Sequence, residues 1–317
     1  MSRILRILIN KSEITAGTRG ASLGPEAIMT AARKQKNQLF GNFPVEYIPD
    51  RNDVLDNEIK FPEAKRILGL FEVFQNVSSR VGSTLRNNEF PLVLAGDHGS
   101  AGGTIAGIKA AFPDKRLGVV WIDAHGDLHT PYTTPSGNMH GMPLATALGI
   151  DNTEEKVNDL SDQVITYWEN LKNTGIKGSK IAPEDLVFIG VRDTEKQEDA
   201  IISRYNIVNH TVSEVRAKGC EKVFNEIVNQ LSVCDVIYVS FDVDSMDPLY
   251  TSHGTGTPVD KGLTPEEAEY FLTHLAELKK TACIEFVEVN PCLDEKINKM
   301  AEVTFELLDK TVKALLK

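Results

Sequence analysis

Cysteine is scarce in this chain, positive charge is the minority sign, and long apolar runs are missing. The four cysteines (Cys220, Cys234, Cys283, Cys292) form no CxxC pair, which argues against a zinc knuckle or a dithiol redox motif. Reduced thiols and a cytoplasmic location are therefore expected. No apolar run approaches the roughly 20 residues that a membrane-spanning helix needs. With 34 Lys+Arg against 45 Asp+Glu, the formal charge is −11. That balance argues against nucleic acid or an anionic membrane as partner, since both demand a basic face. The opening MSRILRILINKSEIT carries two arginines and a short apolar stretch with no small-residue cleavage site. It reads as a first strand and not as a signal peptide. What is present is ordinary globular material, 41% hydrophobic and 25% charged, in a chain long enough to bury a substantial core.

Short β-rich apolar runs alternate with longer stretches of helical period. Strands are expected at Ile4–Ile9, Leu92–Ala95, Gly118–Ile122, Leu186–Gly190, Val236–Phe241 and Thr281–Val287. Helices are expected near Pro62–Leu85, Ala101–Ala111, Val212–Leu231, Pro265–Leu278 and Asp294–Leu316. Thr264-Pro265-Glu266-Glu267 reads as an N-cap, an N1 proline and an acidic first turn. Strict alternation implies βαβ units and a mostly parallel sheet covered on both faces. The polar stretch Asp151–Pro183 reads as a surface excursion. No linker or repeat divides the chain, so one three-layer α/β/α domain over residues 1–317 is expected.

Three apolar strands run directly into acidic and histidine residues. They are LVLAGDHGS (Asp97, His98), VVWIDAHGDLH (Asp123, His125, Asp127, His129) and YVSFDVDSMDP (Asp242, Asp244, Asp247). Ligands of open parallel sheets bind at the carboxyl ends of the strands, so these groups should converge. Alternate residues of extended chain share a side, which would group Asp123, His125 and Asp127, and Asp242 with Asp244. Buried carboxylates are costly without positive compensation, and no Lys or Arg lies within the clusters. A pair of divalent cations answers this. Six ligands, mainly carboxylate with some imidazole (His98, Asp123, His125, Asp127, Asp242, Asp244), favour Mn²⁺ over a thiolate-type zinc site. Asp97 is expected to orient its neighbour. The glycine-rich run Gly96–Gly107 contains no phosphate-loop pattern; its glycines are expected to let a helix approach the sheet.

These same segments resemble the ureohydrolase family and, within it, the arginases. GDHGSAGGTIAG is similar to the family's first metal motif. DAHGDLHTPYTTPSGNMHG resembles the second motif with the arginase substrate loop, and SFDVDSMDP resembles the third. AGTRGASLGPEAI and EVNPCLDE extend the likeness towards both ends. The resemblance implies an arginase-like fold and two Mn²⁺ per chain. His98, Asp123, Asp127 and Asp244 would serve one ion, and Asp123, His125, Asp242 and Asp244 the other. It implies His140 as proton shuttle and Glu288 as the carboxylate that receives a guanidinium group. Thr134, Ser136 and Asn138 would hold an α-carboxylate and Glu195 an α-amino group. Thr257 and His129 are further expected substrate contacts. The implied reaction is conversion of L-arginine to L-ornithine and urea, by attack of a metal-bridging hydroxide on the guanidinium carbon. Asp127 would hold the nucleophile and pass on its proton. A homo-oligomer, trimer or hexamer, is implied as well.

Several positions depart from the family pattern. His129 stands where arginases commonly carry asparagine, and Glu195 where they carry the shorter aspartate. Ala95 replaces a glycine, Gly99 is an extra residue, and the TSHGTGTP loop is one residue longer than usual. Agmatinase, guanidino-acid hydrolase and formimidoylglutamase activities are the alternatives. The TPYTTPSGN segment favours arginase over agmatinase. A non-catalytic protein on the same scaffold should have lost ligands, and all six are present.

Overall fold

The structure, a computed structural model, describes residues 3–317. Its strands are β1 Ile4–Asn10, β2 Val45–Ile48, β3 Glu89–Ala95, β4 Leu117–Ile122, β5 Leu186–Ile189, β6 Val208–His210, β7 Val236–Asp242 and β8 Thr281–Val287. The first six α-helices are α1 Gly24–Lys34, α2 Leu39–Asn42, α3 Ile67–Arg86, α4 Ala101–Ala111, α5 Pro143–Leu148 and α6 Asp162–Lys172. They are followed by α7 Lys196–Tyr205, α8 Val212–Lys218, α9 Cys220–Gln230, α10 Pro265–Glu277 and α11 Lys299–Leu315. None of the described helices is long and apolar enough to cross a membrane.

All eight strands pair in parallel in one sheet, in the order β2-β1-β3-β8-β7-β4-β5-β6. Alternate strand residues feed two separate cores, as a doubly covered sheet requires. Ile7, Leu92, Val120 and Val239 pack with α1 and α8–α11 on one face. Leu8, Val93, Trp121 and Tyr238 pack with α3–α7 on the other. The expected α/β architecture is present.

Two edge strands, β2 and β6, escape the sequence reading because they are short and half-exposed. The expected helix Val212–Leu231 is two helices, separated at Gly219 with φ 84°. The supposed surface excursion contains α6, whose Val164, Trp168 and Leu171 are buried. The capping box at Thr264 and Glu267 is present in full.

The glycines after β3 have a different use from the one expected. A Cβ on Gly102 would lie 2.3 Å from Phe74 Cζ, and one on Gly107 2.7 Å from the carbonyl oxygen of Ser78. Phe74 and Ser78 belong to α3, so these glycines admit a close helix–helix contact and not a helix–sheet one. Gly107→Val should therefore cost stability by overpacking, on the order of 1–3 kcal/mol, read as a lower urea midpoint with an unchanged m-value.

Candidate active site

The site lies above four adjacent central strands, β3-β8-β7-β4, at their carboxyl ends. His98 follows β3, Asp123 to Asp127 follow β4, Asp242 ends β7 with Asp244 in the turn beyond, and Glu288 follows β8. Strands β3 and β4 are consecutive in the chain, yet β8 and β7 stand between them, so the crossover brings distant segments into one crevice.

His98 Nδ1 lies 3.0 Å from Asp123 Oδ2, 3.2 Å from Asp127 Oδ2 and 3.1 Å from Asp242 Oδ2. His125 Nδ1 lies 3.1 Å from Asp244 Oδ2 and 3.5 Å from Asp123 Oδ1. Asp123 is thus shared between two constellations, one around each histidine. The exact division of the six residues, open from the sequence, takes this form in the structure: Asp242, not Asp244, stands beside His98. Backbone donors hold the carboxylates in place. Asp123 Oδ1 accepts from His125 N–H at 2.7 Å, Asp242 Oδ1 from Asp244 N–H at 2.9 Å, and Asp244 Oδ1 from Ala124 N–H at 3.2 Å. The two-residue spacing in DAHGD and DVD therefore also builds local carboxylate-to-backbone turns.

The four aspartates carry more negative charge than their burial tolerates. Burial, and then the neighbouring Asp123 charge, raise Asp127 to about 7. Burial with Asp244 and Asp123 raises Asp242 well above the usual carboxylate range. Burial opposes protonation of His98, but the close carboxylates of Asp123, Asp127 and Asp242 outweigh it and raise that pKa. Among the described residues no Lys or Arg pairs with any of the four aspartates. Arg192 places its donors on carbonyl oxygens, including that of Asp244 at 2.9 Å.

Two acidic site residues adopt left-handed backbone, Asp127 with φ 50° and Glu288 with φ 68°. Such strain persists only where the surroundings impose it. Glu288 N–H donates to the carbonyl of Gly96, and Glu288 Oε1 accepts from His98 N–H at 2.7 Å. Burial, followed by the Asp97 charge, pushes the Glu288 carboxyl up to about 8. His140 Nδ1 lies 3.9 Å from Glu288 Oε1. Burial with the nearby His125 and His98 lowers the His140 pKa to about 4. Asp97 differs from expectation: its carboxylate accepts from Thr15 N–H at 2.7 Å and so anchors the loop after β1.

A cavity of about 260 Å³ opens above the cluster, with His98, His125, Asp127 and Asp242 at its floor. His129, Thr134, Ser136, Asn138, His140, Glu195 and Thr257 line the remainder, while Asp123, Asp244 and Glu288 lie behind the surface. Thr134 and Ser136 accept from backbone N–H groups at 3.0 and 3.2 Å, leaving their hydroxyl hydrogens for a ligand. Lys65 Nζ donates to Asn138 Oδ1 at 3.1 Å, which fixes that amide. Thr257 donates to Asp244 Oδ2 at 3.2 Å. His253 in the same loop pairs instead with Glu295, outside the cavity. His129 is buried, with Nε2 3.0 Å from Glu195 Oε2 and 3.7 Å from Glu198 Oε2.

The arginase family model matches residues 7–312. The chain belongs to the arginase family. Arginase from Bacillus subtilis strain 168 is 34% identical over 312 residues, covering 98% of this chain and 97% of that one. The solved arginase of Bacillus caldovelox superposes with a TM-score of 0.82 at 33% identity, covering 98% of each chain. Arginase from Entamoeba histolytica in complex with L-ornithine gives 0.82 at 26% identity, covering 99% of each. The chain is thus an arginase-type ureohydrolase, an enzyme acting on guanidino substrates.

Sequence reading missed Glu198, which is buried in the cavity wall of this arginase-family site. Its Oε1 accepts from Leu128 N–H at 3.0 Å and its Oε2 from Glu195 N–H at 3.1 Å. The signal was the capping box of α7, visible as Glu195 followed three residues later by Glu198. Glu198→Ala leaves two backbone donors without that partner. It should lower unfolding free energy by about 1–3 kcal/mol, measured as a reduced thermal midpoint of the purified protein.

Proposed function

We propose that this chain, acting as one domain, is a binuclear-manganese arginase that converts L-arginine to L-ornithine and urea. The reading rests on one observation: four buried carboxylates face two imidazoles and have no lysine or arginine partner. The residues fit two divalent cations. His98 Nδ1 and Asp123 Oδ2 are buried without any hydrogen-bond partner, and imidazole with carboxylate is a donor set suited to Mn²⁺. His98, Asp123, Asp127 and Asp242 would hold one ion, and Asp123, His125, Asp242 and Asp244 the other. When bound, the pair supplies the Lewis acidity that makes water a strong nucleophile near neutral pH.

The chain's own groups do the rest. Asp127 faces the cavity, where its carboxylate can hold the nucleophile's proton and pass it to the leaving amine. His140, partly exposed, carries protons between the cavity and solvent. Glu288, just behind the cavity wall, has one oxygen occupied by His98 N–H; its second would pair with the guanidinium and orient it once substrate reaches that wall. Thr134, Ser136 and Asn138 supply neutral donors for an α-carboxylate. Glu195, with Glu198 behind it, supplies negative charge for an α-ammonium. The Entamoeba histolytica relative is solved in complex with L-ornithine, which supports an amino acid as the ligand. We place the enzyme in the cytoplasm as a homo-oligomer, a trimer or hexamer.

One observation favours a second reading, in which another guanidino compound such as agmatine is preferred. His129 Nε2 already lies 3.0 Å from Glu195 Oε2, so an imidazole competes for the acid that an α-ammonium would use. A urea-release screen over arginine, agmatine and shorter guanidino acids with added Mn²⁺ separates the two. Arginine should lead by orders of magnitude, up to about 10⁴-fold, because a lost head group leaves the cavity's polar groups unpaired. If His129 acts instead as a donor to the α-carboxylate, His129→Ala should raise KM for arginine more than it lowers kcat, whereas a lowered KM would mark it as the competitor for Glu195. A better rate with agmatine would overturn the arginase assignment and leave the dinuclear centre standing. That centre is checked separately: Asp123→Ala removes the shared carboxylate, and metal analysis should show both ions lost, against two per wild-type chain.

A further inference from the structure

Beneath the cluster lies a carboxyl group that the reaction does not use. Glu285, on β8, is fully buried, and a carboxyl in a sheet core is costly unless its partners compensate. The register places Trp121 of β4 opposite Ser240 of β7, and Ser240 opposite Glu285 of β8. These three residues form one cross-strand row on the face covered by α3 and α4. His98 rests on this row. Its ring stacks on Trp121 at 4.1 Å and 5°, and its Nε2 lies 2.7 Å from Ser240 Oγ.

Tyr238 precedes Ser240 by two residues and so shares its face. Its hydroxyl donates to Glu285 Oε2 at 2.5 Å, and Ser240 stands beside it on the same face, opposite Glu285 in the register. Burial, then the Glu285 charge, raises the Tyr238 pKa well above its ordinary value, so the phenol keeps its proton and remains a donor. The direction of the chain follows from His98. Its Nδ1 is turned to Asp123, Asp127 and Asp242, so a metal-binding His98 carries its proton on Nε2. That proton points to Ser240, and the neighbouring tyrosine's to Glu285.

We propose that Glu285, acting with Tyr238 and Ser240, is a positioning residue that holds His98 in the tautomer and orientation needed to bind metal. This extends by two hydroxyls the carboxylate–histidine pairing that commonly orients metal-bound imidazole. It rests on the reading of His98 as a ligand. It distinguishes the two ion sites, because His125 takes no part in the chain.

The test is Mn²⁺ titration of the purified full chain, following free Mn²⁺ by electron paramagnetic resonance and bound metal by elemental analysis. Wild type should bind two ions. Glu285→Gln and Tyr238→Phe should each weaken one site by about 10–100-fold and leave the other at wild-type affinity. Val93→Ala, paired with Glu285 from β3, is the control: it should lower the thermal midpoint without changing either affinity. Should Glu285→Gln fail to fold, Tyr238→Phe, which keeps the ring and removes one hydroxyl, decides the matter. Two wild-type affinities in Tyr238→Phe, or equal weakening of both sites, would overturn the inference. Fewer than two ions bound by the wild type would overturn the reading of the centre itself.

Discussion

Repulsion among buried carboxylates governs this molecule. Asp123, Asp127 and Asp242 each bring an oxygen to within 3.2 Å of one imidazole nitrogen, and Asp244 comes equally near to the second histidine. In water such groups would separate. Here they cannot, because each is tied to the end of a strand whose own residues are locked into two apolar cores. Rigid backbone with dense packing on both faces is what makes a strongly acidic crevice possible, and it leaves a cluster that calls for cations.

The same logic explains the backbone conformations around the site. Asp127 and Glu288 take left-handed geometry that a β-strand or helix would never require of them. Glu288 directly follows β8 and Asp127 lies in the loop five residues beyond β4, where the chain must turn a carboxylate towards the crevice. The cost is met by surrounding order: Leu144 donates to the carbonyl of Asp127 and Glu288 N–H to that of Gly96. Below the crevice, Trp121 and Ser240 support His98 from the sheet itself. The acidic cluster is therefore held from its strand ends, from its turns and from the layer beneath.

The far end of the cavity is softer in design. Thr134, Ser136 and Asn138 lie on one loop, held by short-range turns and by Lys65. His129 and Glu195 face each other across the opposite wall, with Glu198 behind them. The acidic cluster is thus carried by the strand ends and the rest of the cavity wall by loops, a division common where a rigid scaffold carries variable connections. The departures from the arginase pattern at His129 and Glu195 fall in the second region and leave every strand-end aspartate and histidine unchanged.

The sequence alone specified the alternation of strands and helices, because buried parallel strands demand continuous apolar runs. It also named the acidic and histidine residues, because such groups at three strand ends are hard to explain otherwise. Short edge strands such as β2 and β6 left no comparable trace, and the break at Gly219 was hidden within one continuous helical period. Only tertiary structure could insert β8 and β7 between β3 and β4, and only it could show Asp242, rather than Asp244, beside His98. It also revealed Glu198 in the cavity wall and Glu285 beneath the site. Neither lies in a strand-end cluster, and a carboxyl's burial depends on what crosses over it, which local spacing does not encode.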